Sequence, residues 1–129
     1  MSKVKTTLSV GSKKYEIYSD DILFTRVGTV GRCTIVPKTC NGWIMSTSLI
    51  RLRSFSKNLY PHYIFYYTQS LSAQKYSKDT SKGTTRQGTN SKIVGNMPII
   101  IPPLLIQKQI VQNIKSAEEK FQSQKKQFE

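Results

Sequence analysis

The chain has 129 residues, 37% of them hydrophobic, which allows one small domain with an apolar core and argues against wholesale disorder. Its 20 lysines and arginines against 7 acidic residues give a formal net charge of +13, and residues 22–117 contain 13 basic residues but one acid, Asp79. A basic surface on the body of a domain indicates a polyanionic partner. The scarcity of acids excludes a nuclease that holds magnesium with clustered carboxylates.

Cysteine and histidine are too few for a metal site of ordinary spacing. The only cysteines are Cys33 and Cys40, and His62 is the only histidine. We expect two free thiols in a reducing compartment, although the spacing also permits a disulfide. The first residues do not resemble a signal peptide and no apolar run is long enough to span a membrane, so we expect a soluble, cytoplasmic protein.

The first recognisable element is a strand–turn–strand. Two apolar and β-branched runs, 22–27 and 33–36, flank the sequence GTVG. The glycines suit a turn that comes close to a nucleic-acid backbone, with Arg26 and Arg32 at its edges. The turn lacks the frame of a nucleotide-binding P-loop, and its β-like flanks disfavour a KH domain, whose GxxG loop joins two helices.

A second strand is predicted within residues 43–53, WIMSTSLIRLR. Ile50 and Leu52 alternate there with Arg51 and Arg53. Because successive side chains of a strand point to opposite faces, this pattern predicts a half-buried strand whose exposed face is cationic.

An amphipathic helix follows, opened by Pro61, with apolar residues at spacings of four, three and four. These residues are Tyr60, Ile64, Tyr67 and Leu71. The aromatic side chains of this segment have two interpretations, base stacking and core packing, and their helical spacing favours the core.

Residues 68–92 are polar, with ten Ser or Thr and five Lys or Arg among 25 residues. This composition predicts a long loop, which in a compact domain is either functional or disordered. The glycine-flanked Arg86 and Gln87 carry the groups that pair bidentately with guanine and adenine, so we expect them to read bases.

A long helix is predicted from residue 104 to the end of the chain, after Pro102 and Pro103. One face carries an apolar stripe formed by Ile106, Ile110, Ile114, Ala117 and Phe121. A helix with such a stripe needs a second surface to cover it.

No enzyme motif is complete. An adenine methyltransferase would need an Asn-Pro-Pro-aromatic motif, but Ile101 precedes the only Pro-Pro pair. A thiol dyad of His62 with Cys33 or Cys40 rests only on the presence of both residue types. We therefore expect no catalytic residue and no metal ligand in this chain.

Five segments together resemble the specificity (S) subunit of type I restriction–modification systems. In chain order they are DDILFTRVGTVGR, STSLIRLR, PHYIFYYTQS, KGTTRQGTNSKIV and PIIIPPLLIQKQIV, and they cover about residues 20–115. The family usually has Glu before the Gln of the last segment, where Ile106 precedes Gln107 here. Fewer residues precede the first segment than in the family, so we expect a half subunit with a shortened front or a fragment of a longer gene.

The resemblance implies an α+β fold: a small twisted β-sheet recognition domain with an amphipathic helix, followed by a long C-terminal spacer helix of coiled-coil type. It divides the chain into a lead-in (1–21), a target recognition domain (22–103) and the start of the spacer and dimerisation helix (104–129). Such a subunit does no chemistry: it reads one half of a bipartite DNA sequence and docks methyltransferase subunits, which restriction subunits join. S-adenosylmethionine is used by the methyltransferase partner, so no cofactor is expected on this chain.

The expected partners are double-stranded DNA, methyltransferase and restriction subunits, and a second copy or another half subunit bound through the stripe. The predicted DNA-binding residues are Arg26, Thr29, Arg32, Arg51, Arg53, Lys82, Thr85, Arg86, Gln87, Asn90 and Lys92. Among them we expect Arg51 and Arg53 to hold the DNA backbone without regard to sequence. Two alternatives stay open: a standalone basic RNA-binding module, and an inactive remnant that folds only with a partner fragment.

Overall fold

The computed structural model describes residues 2–26, 32–54, 56–81 and 89–127. Within these ranges the strands are β1 (Ser2–Lys3), β2 (Leu8–Gly11), β3 (Ile22–Thr25), β4 (Cys33–Ile35), β5 (Leu49–Ser54) and β6 (Pro98–Ile99). The α-helices are α1 (Val4–Thr7), α2 (Pro61–Thr68), α3 (Leu71–Ser81), α4 (Ser91–Gly95) and α5 (Leu104–Gln127), and a 3₁₀ turn covers Lys38–Cys40. The antiparallel sheet with helices and a long C-terminal helix confirms the predicted α+β class.

Four strands form an antiparallel sheet in the order β2-β5-β3-β4, and β1 pairs with β6 in a separate ladder. Between β3 and β5, Ile22 lies opposite Leu52 and Phe24 opposite Ile50. Because alternate residues share a face, these four apolar side chains form one patch. The two strands predicted around the GTVG turn are confirmed as β3 and β4, whereas the strand predicted within 43–53 begins only at Leu49.

The apolar patch of the sheet packs against α2 and α5 to form the main core. Tyr63 and Ile64 of α2 and Val111 of α5 belong to the same buried cluster as the sheet residues. Pro61 lies in the first turn of α2, as the sequence predicts. Full burial of a side chain such as Ile64 contributes about 1.5–3 kcal/mol, so this cluster is the main source of stability.

The opposite face of the sheet is covered too. Leu23 of β3 packs there with Ile17, Val36 and Met45 in a second buried cluster. Backbone hydrogen bonds join the covering segments 15–17 and 43–45, among them one from the Ile17 N–H to the Trp43 carbonyl at 2.7 Å. The arginines of β5 point to this covered face.

The aromatic run of α2 packs in or against the main core, which confirms the core interpretation. Three tyrosine hydroxyls also donate hydrogen bonds to backbone carbonyls that follow later in the chain. Tyr63 donates to the Ile100 carbonyl and Tyr67 to the Pro98 carbonyl, while Tyr76 of α3 donates to the Ile93 carbonyl. These bonds fasten residues 93–100 to the helices.

The prediction of one long loop over residues 68–92 is wrong. Residues 71–81 form α3 and residues 91–95 form α4. The Ser70 hydroxyl accepts the Ala73 N–H at 3.2 Å at the start of α3, and Ala73 is buried in the main core. The serines and threonines lower the helix propensity of this segment, and packing of one narrow face overrides it.

The prediction that Leu71 belongs to the apolar face of α2 is also wrong. The chain turns at Gln69 and Ser70, so Leu71 begins α3 instead of extending the apolar face of α2, and its residue surface is 90% exposed. The buried residues of α2 are Tyr63, Ile64 and Thr68.

The long helix α5 has one side on the domain and one side in solvent. Gln107 and Val111 are buried, whereas Ile106, Ile110 and Phe121 are exposed. No helix in the described part of the chain is long and apolar enough to cross a membrane. The division at residues 21 and 103 stays a prediction, and β2, from the predicted lead-in, pairs with β5 in the main sheet.

Candidate nucleic-acid interface

Three segments meet at the end of the sheet where β3 finishes and β5 begins. We call this the open end, and it comprises Arg26, Arg32, residues 46–48 and residues 89–92. Arg26 follows β3 and bonds to two of the other segments. Its N–H donates to the Ser48 carbonyl (3.0 Å), its carbonyl accepts the Thr89 N–H (2.8 Å), and its guanidinium Nη1 donates to the Thr47 carbonyl (2.8 Å). Arg26 thereby ties residues 46–48 and Thr89 to the end of β3.

Residues 46–48 present exposed hydroxyl groups at this end. The Ser46 and Ser48 hydroxyls are 2.9 Å apart, and the Ser48 N–H donates to the Ser46 hydroxyl at 3.1 Å, so the turn has a defined shape. Hydroxyl groups bind both phosphate oxygens and base edges. Our sequence interpretation assigned these residues to a strand and missed them as candidate contacts; the run of Ser-Thr-Ser before a strand was the available signal.

The structure brings four predicted DNA-binding residues to the open end: Arg26, Arg32, Asn90 and Lys92. The side chains of Arg32 and Lys92 are exposed. The Arg32 carbonyl accepts the Thr25 N–H at 3.1 Å, which places Arg32 beside the end of β3. Asn90 has a structural role as well, because its Oδ1 accepts the Ile93 N–H at 2.9 Å and caps α4.

Arg53 lies at the other end of β5, which we call the closed end (Glu16, Asp20, Asp21 and Arg53). Its guanidinium donates twice to the Asp21 carboxylate, at 2.8 and 2.6 Å, and the Asp21 residue is 3% exposed. This hydrogen bonding to Asp21 raises the pKa of the Arg53 guanidinium. The Tyr18 N–H also donates to Asp21 (2.9 Å), so the buried carboxylate is fully engaged.

Arg51 is 7% exposed, so the predicted exposed cationic face is wrong at this residue. Its guanidinium carbon lies 3.8 Å from the centre of the Tyr15 ring. Burial, and secondly the charge of Arg53, lower the pKa of the Arg51 guanidinium. Gly11 makes room for this stack, since a Cβ there would clash with the Tyr15 hydroxyl. The pattern of alternation is right, but a second layer of chain covers the face that it predicted to be open.

The two ends differ in charge as a result. The acids of the sheet region lie at the closed end. Asp21 binds Arg53, and Asp20 is the residue before Asp21. Glu16 is also close, since its backbone carbonyl accepts a weaker bond from Arg53 at 3.3 Å. At the open end the described basic side chains face no described carboxylate partner in an ion pair. Of the two ends of the sheet, the open end is therefore the one whose described residues form a positive surface with hydroxyl groups.

The remaining predicted DNA-binding residues lie outside the described residues. They are Thr29, Lys82, Thr85, Arg86 and Gln87. Their roles stay predictions.

A residue that our sequence interpretation passed over anchors α5. The buried Gln107 side chain accepts the Tyr60 N–H and donates to the carbonyls of Asn58 and Pro102, each at 2.8 Å. A buried amide with three such bonds fixes the beginning of α5 against the residues before α2. Gln107 is the Gln of the final resemblance segment, so the motif was the available signal.

A family model for the type I restriction modification DNA specificity domain matches residues 3–128. The chain belongs to this family. It is a type I restriction modification DNA specificity domain, which is a recognition module and not a catalytic one. No curated protein sequence matches the chain significantly.

Solved structures show the same fold for this specificity domain. The HsdS subunit from Thermoanaerobacter tengcongensis superposes with a TM-score of 0.72 at 22% identity, over 86% of this chain and 29% of that one. The S subunit of a type I restriction–modification system from M. genitalium gives the same TM-score at 15% identity, over 98% of this chain and 40% of that one. The specificity domain thus spans less than half the length of the proteins that it matches.

The outer side of α5 is the second exposed surface of the specificity domain. Of the predicted stripe, Ile106, Ile110, Ala117 and Phe121 are exposed, and Ile114 is half-buried. Leu105, which the stripe omitted, is 70% exposed. An apolar surface of this kind on one helix is suited to pack against another helix.

Proposed function

We propose that this specificity domain binds double-stranded DNA with the open end of its sheet and reads one half of a bipartite sequence. The observation that carries the proposal is the meeting of the polar segments at Arg26, on an end that holds exposed basic residues and no described ion-pair partner for them. Membership of a DNA specificity family supports DNA as the polyanion that this surface binds. Basic side chains would neutralise phosphates, and side chains of the loops would contact base edges.

The outer side of α5 supports a second part of the proposal, that the domain works as a pair. Full burial of a large apolar side chain contributes about 1.5–3 kcal/mol, and the partly exposed isoleucines would add a fraction of this. Those contributions favour a second copy of the chain, or another half subunit, over an uncovered helix. A standalone RNA-binding module has no need of this surface.

The chain would direct other subunits to its DNA target. In this proposal methyltransferase subunits, which use S-adenosylmethionine, dock on the paired specificity domains, and restriction subunits join them. The specificity domain itself would bind no cofactor. A third similar structure comes from work on complex assembly and conformational transition of a type I restriction–modification system, and its matched chain is 23% identical to this one over 86% of this chain, with a TM-score of 0.72.

Selection from a random library of duplex DNA tests the proposal. The purified chain is incubated with the library, and the retained DNA is sequenced. A two-fold dimer presents two identical surfaces, so we expect enrichment of an inverted repeat with a central gap. Retention without any enriched motif would overturn sequence reading by the chain. Equal competition by duplex RNA of the same length would favour the RNA-binding alternative.

A further inference from the structure

We propose that Arg26 is a positioning residue and does not bind DNA itself. It holds residues 47–48 and Thr89 in one fixed arrangement, so that the segments at the open end meet DNA together. This inference rests on the proposed function, because the arrangement matters only if the open end reads DNA.

The described polar contacts of Arg26 join it to three residues of two other segments. The guanidinium reaches a residue 21 positions along the chain, the Thr47 carbonyl, while the two backbone bonds reach Ser48 and Thr89. Segments that are distant in sequence are thereby joined through one residue. Any residue at position 26 would keep the Ser48 and Thr89 bonds, which are backbone bonds, but only the arginine side chain supplies the donor to the Thr47 carbonyl.

The state of two guanidinium nitrogens disfavours a two-pronged phosphate contact: a side-on contact needs Nε, and an end-on contact needs Nη1. Arginine grips phosphate best with two parallel N–H groups. In Arg26 the Nε atom is buried, with no hydrogen-bond partner among the described residues, and Nη1 is used on the Thr47 carbonyl. Arg32, in contrast, is exposed beside the same strand end and is suited to the phosphate role.

A fixed arrangement has a functional consequence. Base readout requires side chains held in a defined position against the groove, since loops that must be ordered during binding lose affinity for the correct sequence. Phosphate attraction tolerates looser geometry. Loss of the bond from the Arg26 side chain to the Thr47 carbonyl should therefore reduce sequence discrimination more than overall affinity for DNA.

The test compares Arg26→Lys and Arg26→Ala with the unmodified chain in the random-library selection, and measures affinity for bulk duplex DNA over a range of salt concentrations. Lysine keeps the charge, but its ammonium nitrogen ends one atom short of the position of Nη1 and so does not reach the Thr47 carbonyl in the same geometry. We expect both variants to lower enrichment of the selected motif by about tenfold or more, the size of the loss of one base-pair contact. The slope of log K against log salt should stay the same, even in the alanine variant.

Two controls separate the outcomes. Arg32→Ala should reduce the slope of log K against log salt by about 0.9, the value for one lost phosphate contact. Lys57→Ala, beyond the far end of β5, should change neither this slope nor the motif enrichment. If Arg26→Ala reduces the slope as Arg32→Ala does, or if Arg26→Lys keeps full motif enrichment, the positioning role is wrong while the proposed function stands. If the unmodified chain enriches no motif, both the positioning role and the proposed function are wrong. Thermal unfolding of each variant verifies that Arg26→Lys remains folded at the assay temperature.

Discussion

The open and closed ends of the sheet carry arginines in opposite circumstances. At the closed end Arg53 binds a buried carboxylate, whereas at the open end Arg32 is exposed, with no described ion-pair partner. The sequence around both is equally basic, so charge alone does not distinguish a structural arginine from a surface that binds a polyanion. The distinction comes from the location of the few acids. α5 repeats the contrast, with Gln107 bonded inside and Ile110 exposed outside.

Between the two ends of the sheet, the largest expected effect is at the closed end. Arg53→Ala would leave the Asp21 carboxylate buried without its cation, and we expect the free energy of unfolding to fall by about 3 kcal/mol, a value at the low end for such pairs because Arg53 is partly exposed. Urea unfolding measures the change. Arg32→Ala at the open end should stay within about 0.5 kcal/mol of the unmodified chain.

A double variant sharpens the interpretation. Arg53→Ala with Asp21→Asn removes both charges, and we expect it to recover at least half of the lost stability, since no unpaired charge is left. Equal loss in the single and double variants would mean that Arg53 stabilises the domain by packing alone.

Replacing Gln107 should have the next largest effect on stability. Replacement by leucine keeps the volume but leaves the Tyr60 N–H and two carbonyls without the side-chain amide, so we expect a loss of about 2 kcal/mol in unfolding free energy. Gln109→Leu, on an exposed part of the same helix, is the matched control and should have almost no effect. Similar losses in the two variants would indicate a general effect of leucine on α5.

The outer side of α5 should affect assembly and not folding. Ile110→Asp is expected to leave the melting temperature nearly unchanged and to shift the chain toward monomer in sedimentation equilibrium, because Ile110 is exposed in the single domain. Val111→Asp, one residue along, should unfold the domain because Val111 is 2% exposed. A monomeric unmodified chain at tens of micromolar would contradict pairing through this surface.

The smallest effect is a pH dependence from Cys33, whose Sγ lies 2.9 Å from the Thr68 hydroxyl and from the Gln69 amide nitrogen. Burial raises the pKa of its thiol, and these hydrogen bonds oppose the shift. An unfolded thiol ionises from about pH 8.5, so this stabilisation is complete below that pH and is lost as pH rises toward the folded-state pKa. We therefore expect the unmodified chain to lose stability relative to Cys33→Ala as the pH rises from about 7.5 to about 9.5, under reducing conditions. Parallel curves of unfolding free energy against pH for the two proteins would contradict this pH dependence.

Local patterns in the sequence predicted the elements that depend on local physics. Apolar runs located β3 and β4, alternation located β5, Pro61 the start of α2, and the proline pair the start of α5, whereas β1 and β2 were not predicted. The errors concern contacts between distant residues. Nothing near Arg53 indicates its partner Asp21, 32 positions earlier, and nothing near Arg51 indicates the chain layer that covers it. α3 was missed because its serines and threonines conceal a buried face held by Ala73 and Tyr76.

The candidate site divides in the same way. The charge and the motif order predicted a DNA-recognition domain, which the family confirms, and named candidate residues whose roles stay predictions; they did not reveal which arginines are exposed. Availability depends on tertiary pairing at Asp21 and on the Thr47 carbonyl, which no local pattern reveals.

Salt dependence of DNA affinity tests the contrast between the two ends most directly. With about six phosphates neutralised, log K for duplex DNA should fall against log salt with a slope near −5, at about −0.9 per contact. Arg32→Ala should reduce that slope by about 0.9. The Arg53→Ala and Asp21→Asn double variant, which has the same net charge as the unmodified chain, should leave it unchanged. A slope near zero for the unmodified chain, or an equal reduction by the closed-end double variant, would contradict a DNA interface at the open end.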